Sequence, residues 1–358
     1  MIIYSGLLAL FCFMTIVNIA SMPRLKRKEQ MSGQKLSVLI PMRNEERNAA
    51  AVIQSVQSIH WPNLECIVLN DGSTDRTEER LIESIGRDQR FTIVNGKELP
   101  EGWVGKVHAC HQLGKRASGD YLLFLDADVR VKPVAIIEAV TLLQKRSAGL
   151  LSGFARFPAR PVLAKLLVPM QPFFVFFHLP VLLANWTKWA AASAAHGGFM
   201  LFTREAYEAA GGHQSVKGSL VEDVHIMRNV KKAGHKAMIA NIAPSVTCTM
   251  YETNAETWEG FLKNTFNGLG RSKGAAALLI LFYAVFYVAP LFLLFAGYWL
   301  PYLLIVLQKL LVDAAARQSL WYAPFMPLSA AAFIVLLLSA MTRPVHTWKG
   351  RTYSNKKP

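Results

Sequence analysis

Three long stretches of this 358-residue chain contain no Asp, Glu, Lys, Arg or His: Ile2–Met22, Gly274–Gln308 and Ser319–Thr342. Each is long enough to cross a bilayer, for which roughly 20 apolar residues suffice. Charged residues gather instead between about residues 24 and 160 and between 203 and 273. This distribution predicts one globular, polar domain framed by membrane segments.

No basic residues precede the first apolar stretch, whereas Arg24, Lys26, Arg27 and Lys28 follow it. A cleaved signal peptide has the opposite polarity, so residues 1–23 are expected to be an uncleaved anchor. The positive-inside rule then places residue 24 onward in the cytoplasm. The expected organisation is a cytosolic domain over 24–273, a membrane region over 274–342 and a basic tail over 343–358. The tail residues Arg343, Lys349, Arg351, Lys356 and Lys357 argue for a cytoplasmic C-terminus and an even number of C-terminal crossings, two being simplest. The Gly274–Gln308 block is too long for one straight span. It reads either as a tilted span with an interfacial turn or as a tight hairpin. The expectation is thus a multi-pass protein of the cell membrane.

Within the polar domain, Pro158–Trp189 is rich in phenylalanine (Phe173, Phe174, Phe176, Phe177) but broken by Pro169, Pro172 and Pro180. It is expected to lie in the plane of the bilayer surface. The net charge of +15 suits an anionic membrane surface. Neither a basic helix nor interleaved aromatics and cations mark a nucleic-acid binder, so nucleic acid is excluded as a partner. Cys12, Cys66, Cys110 and Cys248 have no metal or disulfide spacing and read as reduced thiols.

From Lys35 the pattern alternates. Strands are expected at Leu36–Ile40, stopped by Pro41, and at Leu64–Leu69, Phe91–Val94 and Tyr121–Leu125. Helices are expected over Asn44–Ile59, from a capping box at Asp75–Glu78 to Ile85, and from Pro133 to about Lys145. Such alternation implies an α/β fold with a mostly parallel, Rossmann-like sheet, whose ligands bind outside the carboxyl ends of the strands.

Acidic residues stand at those ends. Pro41-Met42-Arg43-Asn44-Glu45 follows the first strand and suits contacts to a nucleotide base or ribose; Asn44 would equally serve as a helix N-cap. Asn70-Asp71-Gly72-Ser73 follows the second, with Gly72 allowing a tight turn. Asp126-Ala127-Asp128 follows the fourth. Two carboxylates on one turn, completed by substrate phosphates, are a usual site for Mg²⁺ or Mn²⁺. Gly102–Lys106 precedes a helix whose N-terminus suits phosphate, with Lys106 adding charge; the spacing is not that of a nucleoside triphosphatase loop. Glu222-Asp223 supplies a candidate general base, and the same pair would favour a helix N-terminus. His196 and His213, beside glycine pairs, are as well explained by ordinary loop roles.

Jointly, Pro41–Glu45, Asn70–Ser73, Asp126–Asp128 and Glu222-Asp223 resemble the motifs of family-two glycosyltransferases, inverting enzymes with a GT-A fold. Gly102–Cys110, Gly211-Gly212-His213 and Trp348–Tyr353 are similar to segments of membrane-bound carotenoid and hopanoid glycosyltransferases. The resemblance implies that Asp71 contacts the uridine of a UDP-sugar, with UDP-glucose as donor. It further implies that Asp126 and Asp128 meet the diphosphate and a divalent cation, and that Asp223 is the base. A lipid or isoprenoid acceptor is implied too. The Gln-x-x-Arg-Trp motif of processive members is missing from Trp258–Arg271, which speaks against polymer synthesis and leaves Lys263 or Arg271 to contact phosphate. Rival readings are a polyprenyl-phosphate sugar transferase and a transporter. The transporter is disfavoured because Gly274–Gln308 and Ser319–Thr342 hold no Asp, Glu, Lys, Arg or His.

Overall fold

The computed structural model describes residues 1–25, 33–342, 345–349 and 351–354. Lys26, Arg27, Lys28, Arg343, Gly350, Lys356 and Lys357 lie outside the described residues. The chain packs as two compact units. One comprises 22–156 and 181–248; the other comprises 1–21, 157–180 and 249 onward. The segment 158–189 is therefore divided between them.

The first unit is built on nine strands: β1 (Leu36–Met42), β2 (Leu64–Asn70), β3 (Phe91–Asn95), β4 (Tyr121–Leu125), β5 (Val129–Val131), β6 (Ala148–Phe154), β7 (Phe199–Thr203), β8 (Lys236–Asn241) and β9 (Val246–Cys248). Seven form one sheet in the order β3-β2-β1-β4-β7-β6-β8. All run parallel except β7, which pairs antiparallel with both β4 and β6. The fold is thus α/β with a mostly parallel sheet, as the alternation implied. Leu36, Val38, Leu39 and Ile40 of β1 and Leu122, Leu123 and Leu125 of β4 are fully buried, as strands covered on both faces must be. β5 and β9 make a separate antiparallel ribbon that opposes Val129 to Cys248.

Several local expectations are corrected. β1 runs through Pro41 to Met42, because Pro41 needs no ladder donor where the strand ends. The helix expected from Asn44 starts at Ala49, with Asn48 in the cap position. Asn44 itself adopts a left-handed backbone, φ 51°. The capping-box segment does open a helix, Thr77–Ile85, where Asp75 Oδ1 accepts from the Thr77 amide at 3.0 Å.

Among the described residues, the second unit holds three helices long and apolar enough to cross a membrane: Ile2–Ser21, Lys273–Phe295 and Leu320–Thr342. Lys273–Phe295 contains a π-helical turn at Ala284–Val288 and ends before Gly297, whose φ of 88° turns the chain into a further helix, Trp299–Ala315. The block Gly274–Gln308 is therefore two helices joined by a short turn. The second helix carries a charge pair that sequence reading left between spans. Lys309 and Asp313 are 1% and 0% exposed, with Nζ 2.6 Å from Oδ2. Their i,i+4 spacing places them on one helix face. Within the same unit Gln308 accepts from Tyr287 at 2.9 Å and donates to Thr15 at 2.9 Å. Phe173, Phe176 and Phe177 are buried on the helix Met170–His178.

Candidate active site

The carboxyl ends of β1, β2 and β4 carry the motif residues, all within the sheet-bearing unit. Loops after β1 and β2 brace each other. Asn44 Oδ1 accepts from the Thr74 amide at 2.8 Å, and the Asn44 amide donates to Ser73 Oγ at 3.0 Å. The left-handed turn at Asn44 makes both bonds available, a conformation asparagine tolerates better than most residues. Arg43 donates to the Asp71 and Gly72 carbonyls at 2.5 and 3.0 Å. Glu45 anchors through its amide to Thr77 Oγ1 (2.8 Å), and its carboxylate accepts from Asn48 (2.9 Å). Asp71 is 5% exposed, its amide bonded to Met42. Pro41, opposite Leu69, is the last residue but one of β1.

β4 delivers Asp126, whose amide bonds the Gly198 carbonyl at 3.1 Å. Lys106, in the first turn of the helix Gly105–Arg116, reaches across with Nζ 2.7 Å from Asp126 Oδ2 and 3.3 Å from Glu222 Oε1. Burial alone would depress the Lys106 pKa, but Asp126 and Glu222 outweigh it and hold the ammonium well above its ordinary value. Lys106 is thus a fixed cation between two acidic elements about a hundred residues apart in the chain.

Glu222 and Asp223 open the helix Glu222–Lys232. Asp223 Oδ2 accepts from the Gly197 amide at 2.9 Å, and Oδ1 accepts from its neighbour Val224 at 2.8 Å. A Cβ on Gly197 would stand 3.2 Å from Lys106 Nζ and 3.4 Å from Glu222 Oε1, so the loop backbone lies against the charged cluster. Burial and the Glu222 carboxylate push Asp223 up to about 7 despite those two bonds.

Asp128 ends the turn after β4. Its Oδ1 is buried without a hydrogen-bond partner among the described residues. Burial, then the carboxylates of Asp126 and Glu45, push it up to about 7. Among the described residues no group of three or more His, Cys, Asp or Glu is arranged to hold a metal by itself. A divalent ion held by one or two carboxylates and completed by diphosphate oxygens and water needs no such cluster. The partnerless, charge-crowded Asp128 oxygen is what a dication would relieve, so these residues fit one.

Some participants escaped sequence reading. Arg130 donates to the Ala127 and Val129 carbonyls (2.6 and 2.9 Å) and to Asn48 Oδ1 (2.9 Å), fixing the Asp126–Asp128 turn to the loop after β1. Its position two residues past Asp128 was the available signal. Gly197 contributes only an amide, which no side-chain pattern reveals. His213 proves to be a core residue. It is 2% exposed, hydrogen-bonded to the Tyr207 hydroxyl at 2.9 Å, and burial holds it down at about 3. His196 packs 6.1 Å from the Phe154 ring, and burial lowers it to about 4. Lys263 lies on the helix Asn254–Gly268 of the other unit; Arg271 follows it and donates to Asn267 at 2.9 Å.

Residues 37–211 match the model of glycosyl transferase family 2. They carry β1, β2 and β4 with their carboxylates, the match takes in just under half of the chain, and the protein is a glycosyltransferase. It is 25% identical to the 4,4'-diaponeurosporenoate glycosyltransferase of Staphylococcus haemolyticus, over 73% of this chain and 68% of that protein. To the enzyme of the same name from a bovine strain of Staphylococcus aureus it is 27% identical, over 69% of this chain and 66% of that one. The chain thus spans about two thirds of the length of these curated relatives. Among solved structures, the mannosyltransferase PcManGT from Pyrobaculum calidifontis, in complex with GDP-Man and Mn²⁺, has a TM-score of 0.54 and 18% identity, covering 94% of each chain. That likeness is one of fold.

Proposed function

We propose that this chain is an inverting, divalent-cation-dependent glycosyltransferase that moves glucose from UDP-glucose onto a membrane lipid, a carotenoid or other isoprenoid. The observation that carries the reading is Lys106, bonded to Asp126 and Glu222 beside the Gly197–Asp223 contact. A fixed cation at the proposed donor site and a candidate carboxylate base thereby stand side by side. The names of the relatives support the acceptor class, and the three apolar helices support a membrane location. In this reading the protein is multi-pass in the cell membrane and its sheet-bearing unit faces the cytoplasm.

In the proposed reaction Asp71, with the Pro41–Glu45 loop, holds the uridine end of the donor. Asp126 and Asp128 would hold Mg²⁺ or Mn²⁺, which when bound supplies positive charge to the departing diphosphate. Lys106 adds a fixed ammonium to the same leaving group, needing no reorganisation as charge develops. Asp223, near 7, is poised to take the proton of an acceptor hydroxyl as it attacks the anomeric carbon. An acceptor carboxylate is already ionised at neutral pH, and Asp223 then orients it. Glu222 keeps Lys106 in place and keeps Asp223 basic.

Incubating membranes that contain the protein with labelled nucleotide sugars, and identifying the lipid product by mass spectrometry, tests this. The expected product is a glucosylated isoprenoid stable to phosphatase and mild acid. A sugar released by mild acid would identify a polyprenyl-phosphate product and displace the acceptor assignment.

A further inference from the structure

Far from the carboxylates, beside the outer edge of the sheet at β8, lies a cleft of roughly 220 Å³. Its ionisable lining is wholly cationic: Lys145, Arg146 and Lys236, with Asn185, Trp186 and Pro23. No Asp or Glu lines it, and among the described residues none of the three cations forms an ion pair. β6 runs in the direction of β4, since both oppose β7. Lys145 and Arg146 precede β6 and Lys236 opens β8, so these cations stand at the amino edge of the sheet. The aspartates of the donor site stand at its carboxyl edge, a strand length away.

The cleft is structurally built. Asn185 closes both hydrogen bonds to Ile239 of the edge strand, accepting from its amide at 2.8 Å and donating to its carbonyl at 3.0 Å. The short helix Val181–Trp186 is thereby fixed against β8. The Arg146 guanidinium lies 4.5 Å from the centre of the Trp186 ring, which holds both at the rim. Beside this rim the surface is apolar and open. Leu182, Leu183, Trp186 and Trp189 are 49, 45, 60 and 57% exposed. Tryptophans next to lysine and arginine are the composition of a protein face that meets the headgroup level of a bilayer. Pro23, in the wall of the cleft, is two residues beyond Ser21, the end of an apolar helix long enough to cross a membrane. Two residues span at most about 7 Å.

We propose that this cleft binds the phosphate of an anionic phospholipid headgroup, with Leu182, Leu183, Trp186 and Trp189 set among the adjoining acyl chains. The three cations are opposite in sign to the phosphodiester, and the apolar rim accounts for the rest of the lipid. The proposal rests on reading the apolar helices as membrane spans and is independent of the sugar donor.

The test uses the full chain in detergent, titrated with phosphatidylglycerol and followed by native mass spectrometry. Phosphatidylcholine and inorganic phosphate form separate arms. Wild-type protein is expected to retain phosphatidylglycerol in preference to phosphatidylcholine, and millimolar phosphate is expected not to displace it. The K145Q/R146Q/K236Q variant should bind phosphatidylglycerol at least about tenfold more weakly, since each cation near an anionic surface contributes several-fold. Trp186→Ala should weaken binding in the same direction, and Lys236→Glu serves should the triple variant accumulate poorly. Donor hydrolysis unchanged in these variants shows an intact catalytic unit. Resistance of the protein to carbonate extraction tests the membrane reading separately. Equal binding by the triple variant, equal retention of phosphatidylcholine, or displacement by free phosphate would each overturn the assignment.

Discussion

Lys106 holds its ammonium 2.7 Å from Asp126 Oδ2 at the end of β4. The pair joins a helix N-terminus to the strand that carries the proposed metal ligands. Its second contact, 3.3 Å to Glu222, brings in the helix that bears the proposed base. Replacing Lys106 with Met leaves two carboxylates facing each other with no cation between them. Transfer should fall by about 10² or more in kcat, the scale for removing a preorganised charge from a reacting site. Steady-state kinetics with saturating donor measures this, and an unchanged kcat would remove Lys106 from the leaving-group role.

Asp128→Asn removes one carboxylate from the crowded turn without changing its shape. Transfer and donor hydrolysis are both expected to disappear, while carbonate extraction still finds the protein in membranes. Stimulation of wild-type activity by added Mn²⁺ should vanish in the variant. Full turnover by Asp128→Asn would dismiss the metal assignment.

Asp223 is pushed up to about 7 by burial and by Glu222. A base must be ionised to act, so with a hydroxyl-bearing acceptor kcat/KM should fall about tenfold per unit as pH drops below about 7. Asp223→Asn should abolish that acid limb along with most of the activity. Stability runs the opposite way for this group. Its folded pKa is above the unfolded one, so its contribution is greatest at low pH and is lost as pH rises through about 7. The rate profile and a thermal-shift series across pH 5–9 separate the two effects.

Glu65 provides a contrasting case away from the cleft. Burial would raise its pKa, yet Ser37 (2.5 Å), the Ser118 amide and hydroxyl (both 2.7 Å) and Lys35 (2.9 Å) hold it down at about 2. It fastens β2 to β1 and to the turn before β4. Glu65→Ala leaves the Ser37 O–H without its acceptor, although Ser37 Oγ still accepts from the Gly119 amide at 2.8 Å, and should destabilise the domain by about 1–3 kcal/mol. This contribution is present above the ordinary carboxylate value of 4.5 and is lost as pH falls toward 2. The difference in thermal unfolding between wild type and variant should be smaller at pH 3 than at pH 7.

The donor half of the sheet was readable because β1, β2 and β4 are apolar runs that stop at polar loops. The other half was not. β6, with the sequence Ala148-Gly149-Leu150-Leu151-Ser152-Gly153-Phe154, has low strand propensity. Its glycines answer packing needs: a Cβ on Gly149 would meet Ala206 at 2.4 Å, and one on Gly153 would meet Ile242 at 2.5 Å. Such close approaches are set by distant elements and leave no local pattern. The carboxylates of the site were legible as residue types at strand ends. Their joining through Lys106, and through the Gly197 amide, was not, since both links span long sequence separations. The pair Lys309 and Asp313 was overlooked because charge was taken to mark the limit of an apolar helix, whereas these two neutralise each other within one.

The single reversed strand, β7, has a consequence for how such a catalyst diversifies. Because β7 starts at the edge where β6 stops, with Ser152 opposite Met200, everything between Phe154 and Phe199 departs from and comes back to one rim. The middle of that excursion can be lengthened or shortened while the site strands stay untouched, but its last residues, Gly197 and Gly198, are tied to Asp223 and Asp126. Selection for a new acceptor would accordingly be expected to write its changes in that middle stretch, and leave the strand-end carboxylates as inherited.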